Sequence, residues 1–75
     1  MERILEILSE LKSGVDFSRE TQIVTGKILD SIDITELIAA LEEEYGIEIS
    51  MEYMENRNFD SAEAIWNMVQ ELKEA

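Results

Sequence analysis

A serine between acidic residues begins the clearest predicted helix of the chain, in the order Asp30-Ser31-Ile32-Asp33. In the first turn of a helix the backbone N–H groups are free and the helix dipole is positive, so negative charge is favoured there. A phosphate esterified to the Ser31 hydroxyl would be stabilised at this point without any basic side chain. The same residues also fit an ordinary helix start, in which Asp30 is only the cap. These four residues alone leave both interpretations open.

Ile32 is predicted to point away from the core side of the same helix. At about 100° per residue, the apolar residues that follow it form a single inward stripe, and Ile32 falls on the other side. The stripe consists of Ile34, Leu37, Ile38, Leu41 and Tyr45. The residues expected beside Ile32 are Thr35, Glu36, Ala39, Glu42 and Glu43. An exposed isoleucine framed by carboxylates suits a partner that carries basic groups, although residues 42–44 could also be only a solvated helix end.

Three stretches with helical periodicity are predicted to position these residues. The second runs from Ser31 to Tyr45, with Asp30 as its cap and Gly46 as its end. The first covers residues 2–12, and its apolar stripe is Met1, Ile4, Leu5, Leu8 and Leu11. The last begins at an Asp60-Ser61 cap, with Glu63 completing a capping box. Its stripe is Ala62, Ile65, Trp66, Val69 and Leu72.

The segments between these helices are predicted to be a long loop and a short helical turn. Residues 13–30 carry apolar anchors without a sustained period, and residues 47–49 read as an extended link. Residues 51–56 are expected to form one short turn of helix. The predicted fold class is therefore all-α, a small bundle of three longer helices and one short one, with residues 1–75 as a single domain.

The charge of the chain favours some partners over others. With 18 acidic and 6 basic side chains the formal net charge is −12, while 45% of the residues are apolar, which is enough to fold. The basic residues are scattered singly, so nucleic acid and anionic membranes are poor partners. Proteins that carry basic patches are favoured.

Catalysis by this chain alone is not expected. The absence of Cys and His removes thiolate chemistry, Cys/His zinc sites and the commonest general base. A domain of this size has little core to spare for an internal active site. Charges interrupt the apolar residues from the start, which predicts no signal peptide and no membrane span, and hence a cytoplasmic protein.

The stretch from Leu29 onward resembles the phosphopantetheine attachment region of acyl carrier proteins. The family pattern is Asp-Ser-Leu-Asp, then Glu-Leu, then Leu-Glu-Glu, an aromatic residue and Ile-x-Ile. The matching positions are Asp30-Ser31-Ile32-Asp33, Glu36-Leu37, Leu41-Glu42-Glu43, Tyr45 and Ile47-Glu48-Ile49. The resemblance extends over essentially the whole chain, because the family is a four-helix bundle of this length with a long first loop and a short third helix.

The resemblance implies that Ser31 carries a covalent 4'-phosphopantetheine, added by a phosphopantetheinyl transferase from coenzyme A with magnesium. The arm would hold an acyl or aminoacyl group as a thioester and so supply the thiol that the chain lacks. Asp30 matches the family residue that helps to place metal and phosphate in the transferase complex, and it could serve as the cap as well. Ile32 replaces the usual partner-contacting Leu. The implied partners are the transferase, acyl- or aminoacyl-adenylating enzymes and acyl-transfer enzymes with basic docking patches. The protein is expected to be a monomer.

Some departures from the family pattern bear on the cargo. Thr35 and Ala39 stand where carriers of fatty acids often have larger apolar residues, which flattens the docking face. The position of Gly26, the order Asn58-Phe59-Asp60-Ser61 and the presence of Trp66 look more like stand-alone carriers related to D-alanyl and peptidyl carriers. We therefore favour a short acyl or aminoacyl group over a long fatty chain.

Two other functions compete with that of a carrier. A calcium-binding helical sensor needs oxygen ligands at alternating positions around a glycine, and no such run occurs. An unmodified acidic adaptor with the carrier fold remains as the alternative. Met51, Tyr53 and Met54 either line a pliable acyl pocket or simply close a small core.

Overall fold

The computed structural model describes residues 2–74, and within them the chain is helical without any strand. The helices are α1 (Glu2–Leu11), α2 (Ser31–Tyr45), α3 (Asn56–Phe59) and α4 (Ala62–Glu74), with a short 3-10 turn over Met51–Tyr53 before α3. The prediction of an all-α bundle with three longer helices and one short one is confirmed. No helix within these residues has both the length and the apolar character needed to cross a membrane.

The core lies where α1, α2 and α4 meet, and α3 packs against α4. From α1 it receives Ile4, Ile7 and Leu8, whereas Leu5 and Leu11 are only half-buried at its edge. The stripe predicted for α1 therefore omits Ile7, and its member Met1 lies outside the described residues. The buried members from α2 are Leu37 and Leu41, which confirms the inward side of that helix.

Local signals at both ends explain where α2 starts and stops. The Asp30 carboxylate accepts a hydrogen bond from the Asp33 N–H at 2.9 Å, and the Asp33 carboxylate accepts one from the Asp30 N–H at 3.3 Å. This reciprocal pair satisfies two N–H groups that a helix start leaves without partners. Gly46 ends the helix with φ of 62°, a left-handed conformation that glycine adopts without a steric penalty. Both predicted ends of α2 are confirmed.

The long segment before α2 is a loop with buried apolar anchors, as predicted. Phe17, Ile23 and Leu29 are buried in the core, which ties the loop down at three points. Between the last two anchors the chain folds into a tight turn, because the Ile23 carbonyl accepts hydrogen bonds from the N–H groups of Ile28 at 3.0 Å and Leu29 at 3.2 Å. This turn delivers the chain directly to the start of α2.

The short third helix lies later in the chain than the predicted turn over residues 51–56. That stretch is divided between the 3-10 turn and the first residue of α3. Phe59 is buried and Met51 is 88% exposed, so the helical turn that carries Phe59 is the one that packs against α4. The Asn58 side-chain amide donates to the Tyr53 carbonyl at 2.9 Å and joins the two turns.

The cap of α4 is Ser61 alone. Its hydroxyl oxygen accepts a hydrogen bond from the Ala64 N–H at 3.0 Å, which is the usual role of a serine cap. The predicted capping box between Asp60 and Glu63 is wrong, because the Asp60 carboxylate is occupied by hydrogen bonds from the first loop. The helix buries Ala62, Ile65, Met68 and Val69, while Trp66 and Leu72 are half-buried.

At the end of α2 that lies away from Ser31, Tyr45 packs edge-on against Trp66 of α4, with ring centroids 6.1 Å apart. The Lys73 ammonium lies 5.7 Å from the centre of the Tyr45 ring. The Arg3 guanidinium of α1 pairs with the Glu44 carboxylate at 2.9 Å. These contacts fix the C-terminal end of α2 to both neighbouring helices.

Candidate functional site

Ser31 is the first residue of α2 and is exposed to solvent. Its carbonyl accepts a hydrogen bond from the Thr35 hydroxyl at 2.9 Å, but its own hydroxyl makes no hydrogen bond to any other residue between 2 and 74. The Asp30 carboxylate beside it is engaged with the Asp33 N–H. The arrangement leaves an accessible hydroxyl at the positive end of a long helix, where an attached phosphate would be stabilised.

A cleft of about 420 Å³ opens beside this serine, between the turn before α2, the N-terminal half of α2 and α3. Its walls are mainly apolar, with Leu29 and Phe59 buried and Met54 43% exposed. The lining residues are Val24, Leu29, Asp30, Ser31, Ile34, Thr35, Met54, Glu55, Asn56 and Phe59. The cleft can therefore shelter part of a group attached to Ser31.

The sequence offered Met51, Tyr53 and Met54 as residues that could line an acyl pocket. Met54 lines this cleft, and Met51 and Tyr53 do not. Tyr53 packs against the core, and Met51 projects into solvent. Val24 and Phe59 form walls that the sequence pattern did not reveal as such. They come from the first loop and α3, two segments without helical periodicity. Only their apolar character indicated a buried role.

The outer side of α2 is exposed as the helical pattern predicts. Ile32 is 68% exposed, and Thr35, Glu36, Ala39 and Glu43 are exposed as well. The helix carries no basic residue along its whole length. An isolated apolar side chain is thus surrounded by negative charge and small residues.

Glu42 differs from the other residues placed on that side. It is half-buried, and one of its carboxylate oxygens accepts a hydrogen bond from the Ile49 N–H at 2.9 Å. Its carboxylate therefore holds the link after α2, which limits how much of it a partner can engage. Nothing local in the sequence marks this, because the two residues meet only after the chain reverses at Gly46.

Asp60 is a second structural carboxylate near the cleft; the sequence predicted it as a cap of α4, and its attachment to the first loop was not predicted. It accepts hydrogen bonds from the N–H groups of Val24 and Thr25 and from the Thr25 hydroxyl. Burial alone would raise the pKa of Asp60, but these hydrogen bonds outweigh it and hold the pKa below its usual range. The carboxylate is therefore kept ionised where it joins the first loop to the start of α4.

No group of three or more carboxylates among residues 2–74 is arranged to hold a metal ion. The candidate site is therefore a hydroxyl, an adjoining cleft and an acidic helix face. Such an arrangement offers a point of covalent attachment and surfaces for partners.

A comparison with protein families identifies the class of protein to which this arrangement belongs. Residues 28–64, about half of the chain, match the family model of the phosphopantetheine attachment site. The chain belongs to the family of phosphopantetheine-binding carrier proteins. Members of this family carry a covalently attached 4'-phosphopantetheine, act as carriers and not as catalysts, and interact with phosphopantetheinyl transferases and acyl-handling enzymes. No curated protein and no solved structure matches the chain.

Proposed function

We propose that Ser31 is the attachment residue and that the chain shuttles acyl or aminoacyl groups between enzymes. The observation that carries this proposal is an exposed hydroxyl, without a hydrogen-bond partner among residues 2–74, at the start of a long helix inside the matched region. The group fits this position, since the helix N-terminus favours its phosphate and the adjoining cleft can shelter part of it. When bound, it supplies a terminal thiol that holds such groups as thioesters.

The other serines of the matched region suit this role less well. Ser61 is half-buried, and its hydroxyl oxygen caps α4. Ser50 is exposed but precedes only the short 3-10 turn, which has little of the dipole that stabilises a phosphate. These comparisons support Ser31 as the modified residue.

We assign Asp30 two roles, one in the free protein and one in the transferase complex. In the free protein its carboxylate caps α2 through the Asp33 N–H. In the transferase complex the same exposed carboxylate would help to place the metal and the phosphate beside the Ser31 hydroxyl. One oxygen accepts the cap hydrogen bond, which leaves the other for this second contact.

We assign docking to the outer side of α2, with Ile32 as the apolar contact, Glu36 and Glu43 as the charged contacts, and Thr35 and Ala39 as small residues that let a partner approach. Glu42 keeps a minor part, since its carboxylate already holds Ile49. The partners are the transferase, an adenylating enzyme and acyl-transfer enzymes that present basic residues around a small apolar socket.

The attachment residue is tested by incubating the protein with coenzyme A, magnesium and a broad-specificity phosphopantetheinyl transferase. Intact mass is expected to increase by one phosphopantetheine, and Ser31→Ala is expected to abolish the increase. Ser61→Ala, the matched control, should be modified like the wild type at a temperature where it is folded. Modification at another residue, or none, would contradict the carrier proposal and favour an unmodified acidic adaptor.

For the cargo, we favour a short acyl or aminoacyl group over a long fatty chain. The small residues at positions 35 and 39 give α2 a flat docking face, and the position of Gly26 resembles that in stand-alone carriers related to D-alanyl and peptidyl carriers. The test compares loading of the modified protein by an aminoacyl-adenylating enzyme and by a fatty acyl ligase. Faster loading with the aminoacyl substrate is expected, and a clear preference for long fatty chains would overturn this choice.

A further inference from the structure

Asp60 connects two segments that are far apart in the chain. One carboxylate oxygen accepts hydrogen bonds from the N–H groups of Val24 at 3.0 Å and Thr25 at 2.8 Å, and the other accepts one from the Thr25 hydroxyl at 2.7 Å. The Asp60 carbonyl also accepts the Ile23 N–H at 2.9 Å. Together these bonds attach the first loop to the junction of α3 and α4.

The attached turn forms part of the cleft beside Ser31. Val24 and Leu29 line the cleft from the loop side, and Phe59, which directly precedes Asp60, lines it from the α3 side. The turn is closed at its other end by the hydrogen bonds of Ile23 with residues 28 and 29. A hydrogen-bonded path therefore runs from Asp60 through Ile23 to Leu29, next to the start of α2.

We infer that Asp60 is a positioning residue for the modification of Ser31, because it fixes the surface that the transferase meets beside the serine. This inference rests on the proposed function of Ser31. Hydrogen bonds to a carboxylate are stronger than those between neutral groups, and without this acceptor the part-buried Val24 N–H would lack a partner. The turn would then sample several positions, and the transferase would have to select one of them when it binds.

The test uses the Thr25 hydroxyl, whose removal disturbs the fold less than removal of Asp60. Thr25→Val removes one hydrogen bond to Asp60, and Thr25→Ser retains it. With the transferase and saturating coenzyme A, Thr25→Val is expected to raise the KM for this protein about two- to tenfold with little change in kcat. This range corresponds to the loss of one net hydrogen bond. Thr25→Ser should restore the wild-type KM, and Asp60→Ala should raise KM further.

Asp16→Ala is the matched control for general loosening of the loop. The Asp16 carboxylate also accepts hydrogen bonds within the first loop, from the N–H and hydroxyl of Ser18, but it makes no side-chain hydrogen bond to α3 or α4. All variants are assayed where their helical circular dichroism equals that of the wild type. Asp16→Ala should leave KM unchanged.

Two results overturn the inference on its own. One is an unchanged KM in Thr25→Val and Asp60→Ala while the wild type is modified at Ser31. The other is an equal rise of KM in Asp16→Ala, since that would mean that any loosening of the loop has the same effect. A wild-type protein that is not modified at Ser31 overturns the proposed function and this inference together.

Discussion

In the proposed docking, Ile32 and the carboxylates near it would contribute through different physical effects. Exposed charge pairs are screened beyond a Debye length of about 8 Å at physiological salt, so they mainly speed encounter. Burial of an isoleucine side chain stabilises a complex by roughly 1.5–3 kcal/mol and acts after encounter, on its lifetime. The two effects can therefore be separated by kinetics.

For this reason, Glu36→Lys combined with Glu43→Lys is expected to slow association with the transferase and to flatten its salt dependence. Ile32→Ala is expected to speed dissociation by about tenfold, since each 1.4 kcal/mol corresponds to a factor of ten. Stopped-flow association and dissociation rates at several salt concentrations measure both effects.

The matched control for this docking test is Glu63→Lys combined with Glu71→Lys. It makes the same change in net charge on exposed residues of α4. A similar loss of association rate in this control would mean that total charge, and not the α2 face, guides encounter. Unchanged kinetics in both α2 variants with intact helical circular dichroism would show that partners dock elsewhere.

At this scale the sequence was informative where a residue's role depends on its immediate neighbours. Asp30, Asp33 and Gly46 act within one turn of their own positions, so the start and end of α2 could be read directly. Glu42 and Asp60 have partners 7 and 36 residues away, respectively. Only the folded chain reveals what they hold.

Among the elements, α3 shows most clearly where sequence patterns stop being informative. A single turn of four residues has no period to detect, and its position is set by the burial of Phe59 against α4. Residues 51–54 are more apolar than α3, yet Met51 and Met54 are exposed. Helices α1, α2 and α4 were predictable because their stripes repeat over several turns.

The attachment of the first loop to the α3–α4 junction is expected to weaken in acid. Hydrogen bonds hold the pKa of Asp60 in the folded protein below its unfolded value, against the opposing effect of burial. A depressed pKa means that the contribution to stability is fully present above the unfolded pKa of about 3.9 and is lost as pH falls through the folded value. The difference in Tm between the wild type and Asp60→Asn should therefore shrink as pH is lowered from about 6 to about 2.

Circular dichroism melts at a series of pH values measure this difference. Asp16 also has a lowered pKa, chiefly through the Ser18 hydroxyl, but it is present in both proteins and its effect cancels in the comparison. A constant difference between wild type and Asp60→Asn would mean that the carboxylate does not stabilise the attachment.

Across the whole molecule, the net charge of −12 is carried on a body of 33 × 22 × 20 Å. All three arginines are already paired within it, Arg3 with carboxylates of α1 and α2, Arg19 with Asp16 and Arg57 with Glu55. Little positive charge is left to offset the acidic face of α2. The preference for partners with basic patches, predicted from composition alone, thus has a structural location to be tested.

The single tryptophan gives the protein an intrinsic fluorescent reporter. Trp66 packs against Tyr45, the last residue of α2, whereas Ser31 is the first residue of the same helix. At about 1.5 Å of rise per residue, these ends are about 20 Å apart. The emission of Trp66 therefore reports whether α2 and α4 remain packed together, at a distance from the modification proposed at Ser31. Folding can then be followed by the emission of Trp66, and modification by intact mass, in the same sample.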